Sequence, residues 1–178
     1  LDNSTFTLGS ATTDLTLNLG HSSDNGTGSG SPPGTLVTQT ADLTILGNPS
    51  LSSGTTISST GGKFTFKEGM SVAGGTLNLQ DSTLAVGSSF ISTGGILTLS
   101  GTDLELLSNL ILSSDSAIVF DSYQPNDLDL VLSDNSTGNI SLGTLTLDSE
   151  KIEVLGGTLS LAGGSSVGAS GQVEVGEQ

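Results

Sequence analysis

Eighteen carboxylates, three lysines, one histidine and no cysteine make up the chain's stock of acid–base, nucleophilic and metal-ligating side chains. That stock points to hard-cation binding before any other chemistry. Calcium takes its ligands from Asp, Asn and backbone carbonyl oxygens, and Asp121, Asp127, Asp129, Asp134 and Asn135 crowd one stretch of the sequence. Asp24-Asn25-Gly26 is a second loop of this kind. Neither stretch has the ligand spacing of an EF-hand or the repeated nonapeptide of a calcium-binding β-roll. The plainer reading is that these acids keep the chain soluble. No other cofactor is implied.

Catalysis finds less support. His21 has Ser22, Ser23 and Asp24 beside it, but a catalytic triad is a matter of three-dimensional geometry, and adjacency in sequence does not supply it. Glycosidic hydrolysis needs two converging carboxylates. Asp103/Glu105, Asp127/Asp129 and Glu150/Glu153 offer pairs, and Asp81 and Asp103 become neighbours if the chain stacks on its own repeat. Acidic polysaccharides are bound by Arg and Lys, of which the chain has three in all, every one a lysine. Tyr123 is the single aromatic expected to be exposed for stacking on a sugar. The expectation is therefore no enzyme, with a carbohydrate-active β-helix enzyme as the alternative of another class.

The net charge of −15 argues against nucleic acid, which is bound by neutralising phosphates, and against anionic membrane surfaces. No apolar run approaches the roughly 18 residues of a membrane span, so membrane insertion is not expected. Without cysteine there are no disulfides and no thiolate metal sites. Four Asn-X-Ser/Thr triplets, at Asn3, Asn25, Asn135 and Asn139, are what chance gives in so Ser/Thr-rich a chain. The chain opens at Leu1 without a signal-like segment, as expected of a processed protein or a piece of a longer one.

Fold class is written in the spacing of the apolar residues. Leu15-Thr-Leu17, Leu77-Asn-Leu79, Leu97-Thr-Leu99, Leu145-Thr-Leu147, Leu159-Ser-Leu161 and Val173-Glu-Val175 alternate with period two, and Gly/Ser clusters punctuate them. Asp103 to Leu112, the best helical stretch, also reads as two strands, Leu104/Leu106 and Leu110/Leu112. The doublets recur in three columns at steps of about twenty residues. The first runs Leu36, Ile57, Leu77/Leu79, Leu97/Leu99, Ile118/Phe120, Ile140/Leu142, Leu159/Leu161. A second runs Leu43/Ile45, Phe64/Phe66, Leu84/Val86, Leu104/Leu106, Leu128/Leu130, Leu145/Leu147. The third takes Leu51, Val72, Ile91, Leu112, Leu132, Val154 and Val175.

Such a pattern predicts an all-β chain forming one domain over 1–178, a single-stranded parallel β-helix (β-solenoid). It has three strands per coil of about twenty residues and about eight coils. One coil alone leaves its inward residues wet; a stack buries them. Gly61-Gly62, Gly74-Gly75, Gly94-Gly95 and Gly156-Gly157 are placed to turn corners. A two-sheet sandwich would also alternate but has no need of a fixed three-column step. The rhythm breaks at 20–34 and 121–139, read as loop insertions, which are common binding faces in solenoids.

Gly74–Ser89 and Gly94–Leu106, with the GG-x-L-x-L pattern returning at Gly156–Leu161, resemble the β-helical passenger domains of bacterial autotransporters and related haemagglutinin-type secreted adhesins. The resemblance implies a right-handed β-helix on or outside a bacterial cell, serving attachment, matrix or scaffolding. It brings no catalytic residue with it. The expected function is an extracellular structural or adhesive module with a polar, acidic surface. Its partners would be other surface proteins or glycans, or its own copies joined through the solenoid ends into a filament, since an open sheet edge invites another chain. A flat ice-binding threonine array has only Thr5-Phe-Thr7 in its favour, the outward residues Asn78, Thr98, Val119, Ser141 and Ser160 being mixed.

Overall fold

The computed structural model describes residues 5–8, 15–17, 35–38, 42–45 and 48–176. His21, Asp24-Asn25-Gly26, the insertion at 20–34, Asn3 and Asn25 lie outside the described residues. Every described element is a strand and every ladder is parallel. β1 (Thr5–Leu8) and β2 (Leu15–Leu17) come first. Four three-strand coils follow. They are β3 (Thr35–Thr38), β4 (Leu43–Ile45), β5 (Ser50–Ser52); β6 (Thr56–Ser59), β7 (Lys63–Phe66), β8 (Met70–Ala73); β9 (Thr76–Gln80), β10 (Thr83–Val86), β11 (Ser89–Thr93); and β12 (Ile96–Ser100), β13 (Asp103–Leu106), β14 (Leu110–Ser114). A two-strand coil, β15 (Ile118–Gln124) and β16 (Leu130–Leu132), comes next. The last two are β17 (Asn139–Thr144), β18 (Thr146–Leu147), β19 (Lys151–Val154) and β20 (Thr158–Leu161), β21 (Ser166–Val167), β22 (Gln172–Val175). The result is a parallel β-solenoid, the β1–β2 pair followed by about seven coils, in keeping with the periodicity. At about 4.8 Å per strand it is a rod of about 34 Å.

Three faces correspond to the three apolar columns. Leu36, Ile57, Leu77 and Leu97 stack in register on the first face. Leu43, Phe64, Leu84 and Leu104 stack on the second. Leu110, Leu130 and Ile152 stack on the third, beside Leu112, Leu132, Val154 and Val175. Alternation sends these residues inward, and nearly all are fully buried. The stretch Asp103–Leu112 is two strands, as the alternation allowed.

Two columns differ from the sequence reading. On the third face the inward residue of β11 is Phe90, paired with Met70 and Leu112, and Ile91 points out at 42% exposure. Both are apolar, so period two alone did not choose between them. What decides is the neighbouring coils, which offer Met70 and Leu112 as partners for the larger ring. On the second face Leu128/Leu130 does not follow Leu104. Tyr123 does, and Leu130 belongs to the third face between Leu110 and Ile152.

That shift has a cause at one corner. The inward residues Leu99 and Leu104 stand five positions apart, whereas Phe120 and Tyr123, the next pair up, stand three apart. With two corner residues fewer, β15 runs through the bend as one seven-residue strand. It pairs with β13 (Asp103↔Ser122) and with β17, and leaves β12 as the last strand of its own sheet. A seam opens between β12 and β15, a cavity of about 360 Å³ lined by Leu97, Thr98, Leu99, Ile118 and Val119 among others. Leu97 is half-buried there, while Leu77 one coil below is completely buried.

At the other corners glycine has two separate duties. Gly74 and Gly94 take positive φ, 80° and 63°. The glycine after each has no room for a side chain, because a Cβ on Gly75 would stand 2.6 Å from the Leu51 carbonyl oxygen and one on Gly95 2.5 Å from Val72 Cγ1. Buried serines bind the corner carbonyls, Ser59 donating to Gly61 at 2.6 Å and Ser136 to Ser114 at 3.1 Å.

The register of β11 can be tested directly. Phe90→Ala should cost about 3–5 kcal/mol in denaturant unfolding, as emptied aromatic core sites do, whereas Ile91→Ser should stay within about 0.5 kcal/mol. Comparable losses at the two positions would place the strand in the wrong register.

Candidate functional site

Alternation that sends Leu and Val inward sends most of the acids outward, so the candidate surface is the outer wall of the rod. Lys63 on β7 reaches across two coils to Glu105 (Nζ–Oε2 2.7 Å), and its backbone N–H donates to Asp42 Oδ1 at 2.7 Å. Lys151 pairs with Glu174 at 2.7 Å and lies 3.7 Å from Glu153. The hydrogen bond to Glu174 is the first cause of its raised pKa. Both lysines sit at the surface, where solvent screens such pairs and they add little to stability. They use two of the three cations, and most of the carboxylates are left unneutralised.

The five acids and amides expected to gather around calcium are distributed over three corners of one coil. Asp121 lies at the first bend, within β15, and lines an open groove of about 460 Å³ together with Asp42, Asp81 and Asp103. Asp127 and Asp129 lie between β15 and β16. Asp134 and Asn135 lie in the turn between β16 and β17, where Asp134 accepts from Ser133 Oγ at 3.2 Å and from Asn135 Nδ2 at 3.0 Å. Within 121–139 the chain thus forms the end of β15, a turn at Asn126-Asp127 with positive φ at both residues, β16 and a second turn. Among the described residues, no three His, Cys, Asp or Glu side chains are placed to hold a metal together.

The paired carboxylates are engaged separately. Asp103 accepts the Ser122 hydroxyl at 2.6 Å, Glu105 is held by Lys63, and Glu153 faces out while Glu150 is buried. Tyr123, expected on the surface, is a core residue at 4% exposure. It takes the place that Leu104 holds one coil below, and a ring enclosed in this way has no face for a sugar. Of the glycosylation triplets, Asn135 and Asn139 are exposed. The first face carries two outward rows, Thr56, Thr76, Ile96 and Ser58, Asn78, Thr98.

Sequence reasoning gave Glu150 no role as a cation ligand, and the structure gives it a central place. It is 7% exposed, at the bend before β19. Its Oε2 accepts the backbone N–H of Asp148 at 2.7 Å and of Ser149 at 3.0 Å. Its own backbone N–H and that of Asp127 also act on it, and these hydrogen bonds hold its pKa below the usual 4.5 despite the opposing effect of burial. Nearby, Asp129 Oδ1 accepts the Lys151 N–H at 2.8 Å, and Asp129's own N–H donates to Asn109 at 3.1 Å. Burial, with the charges of Glu150 and Asp129, pushes the Tyr123 phenol pKa far above its ordinary value. The signal in the sequence was an acid at the position where the coil below carries Leu128, two residues ahead of the Leu130↔Ile152 pair.

A carboxylate bound more tightly when charged stabilises the fold above its unfolded-state pKa, and that contribution is lost as pH falls through the lower folded-state value. Glu150→Gln should therefore be less stable than the parent at pH 7, and the difference should shrink in acid, well below pH 4.5. Urea unfolding of both proteins across that range checks it, and a difference independent of pH would refute the assignment.

Comparison with family models, with curated proteins and with solved structures finds no match. The parallel β-solenoid and its acidic outer wall are therefore the ground on which function has to be argued.

Proposed function

We propose that this chain is an extracellular structural or adhesive module, a stiff rod that offers a polar, acidic surface for attachment or for building a matrix. The observation that carries this reading is the division between the two sides of each strand. Continuous apolar columns fill the inside, and Thr, Ser, Asn, Asp and Glu cover most of the outside. The likeness of Gly74–Ser89 and Gly94–Leu106 to autotransporter passengers and secreted adhesins supports a place on or outside a bacterial cell. Attachment through such a wall is distributed over many weak polar contacts, and charge sets its strength.

A second reading, a subunit stacking head to tail, is favoured by the last described coil. Leu161, Val167, Val173 and Val175 are exposed there at 38%, 50%, 40% and 78%. Parallel ladders that continue from copy to copy grow into fibres.

Labelled chain applied to a panel of immobilised glycans and matrix proteins should be retained on at least one surface, with binding that changes as salt screens charge. No retention on any of them would count against adhesion. Electron microscopy separates the two readings. Short monodisperse rods fit the module, and long uniform fibres dispersed by Val173→Lys with Val175→Lys fit the filament.

A further inference from the structure

The rod is not bonded alike along its length. From β3 to β14 each coil joins the next by a parallel ladder on all three faces. Above β14 the first-face ladder stops, because β12 pairs only with β9 among the described residues. The stacks on either side are joined by β13 with β15, over 103–105, and by β14 with β16, over 110–112. Beyond the break the coils are bonded again, β15 to β17 through 118–120 and Ser122, and β16 to β19.

The break follows from path length. Asp115 N–H donates to the Ser92 carbonyl at 3.3 Å, and Asp121 N–H to the Thr102 carbonyl at 2.8 Å. Between these two bridges the lower coil takes the nine residues 93–101 and the upper coil the five residues 116–120. Paths so unequal cannot run side by side in one ladder. Ile96 N–H donates down to the Gly75 carbonyl at 2.9 Å. Strand alternation then turns the N–H and C=O of Leu97 and Leu99 up into the cavity of about 360 Å³. Asp121 N–H donates down, which turns the N–H and C=O of Val119 into the same cavity from above. Groups that bond coil to coil elsewhere therefore face a cavity here.

We propose that this junction is a joint, and that β1–β14 and β15–β22 are two cooperative units that open and unfold separately. In a stack whose coils touch only their neighbours, stability is a sum of coil terms and junction terms, and the chain divides where the junction is weakest. Three or more coils are needed to bury an apolar column. Each side has them, four three-strand coils below the seam and three coils above it. The inner column thins at the same place. Leu97 is half-buried at the seam, while Leu77 below it and Ile140 and Leu142 above it are completely buried. Opening at the joint breaks the two short ladders that cross it and leaves the others intact.

Hydrogen exchange of the whole folded chain, read peptide by peptide in a mass spectrometer, tests the division. Leu84→Ala in β10 should speed exchange at least about tenfold in the strands through β14 and leave those from β15 on unchanged. Leu142→Ala in β17 should do the reverse. In urea, the far-ultraviolet circular dichroism of Leu84→Ala should be lost in two steps. The emission of Tyr123, the only tyrosine, should follow only the step whose midpoint Leu84→Ala does not move. If either alanine abolishes protection on its own side, protection on the other side must persist, and Leu84→Val and Leu142→Val read the same partition with smaller shifts. Either variant speeding exchange along the whole rod overturns the proposal. So does a boundary between responding and silent peptides at any junction other than the β12–β15 seam.

Discussion

Each strand in this molecule has its hydrogen-bonding partners only in the coils above and below, and the remaining properties follow from that restriction. Parallel pairing sets the coils about 4.8 Å apart, so an inward Leu rests on the equivalent residue of its neighbours instead of on a distant element. Leu84 sits between Phe64 and Leu104 because Thr83 and Val86 are fixed in the same two ladders. Ladder and column therefore enforce a common register. A slip by one residue would turn a whole inner column out to water, which is why Phe90 and not Ile91 had to enter the core once Met70 and Leu112 were in place.

Corners are where the restriction becomes costly. A bend must return the chain to a neighbour one strand spacing away, and its backbone passes close to the bend below. Gly75 and Gly95 meet this with the absence of a Cβ, and Gly74 and Gly94 with positive φ. The bend inside β15 meets it differently, by losing two residues. As one continuous strand β15 pairs with β13 and β17 but not with β12, and the cavity beside Leu97 and Leu99 lies at that seam. The same displacement brings Tyr123 into a column otherwise built of Leu, Val, Ile and Phe. Its ring fills the space and its hydroxyl, carried along, is left without a partner.

The regular coils were legible in the sequence because their information is periodic. Strict alternation, a step near twenty and paired glycines were enough to place Leu36, Ile57, Leu77 and Leu97 on the first face and Leu43, Phe64, Leu84 and Leu104 on the second. Legibility failed where a choice depended on volume or on corner length. Phe90 and Ile91 are both apolar neighbours, and Leu128/Leu130 could join either of two columns until the short bend in β15 was known. The burial of Tyr123 and Glu150 was less legible still. Tyr123 enters the core because the short bend in β15 sets it on Leu104, and Glu150 is buried through the register that stacks its coil on the one below. Composition announced the acidic wall, while the one buried acid among the described residues, Glu150, required the register.

Charge and edge pull this rod in opposite directions, and their balance decides what it can do. A net −15 on 178 residues makes copies repel, and the repulsion extends over about a Debye length, close to two strand spacings in physiological salt. An unpaired strand edge, by contrast, attracts another ladder at contact distance only. Side-by-side association of two rods would set acidic walls against each other over their whole length. End-to-end association would bring together far less charge. Screening or cation binding on the walls would therefore relieve lateral repulsion more than axial repulsion.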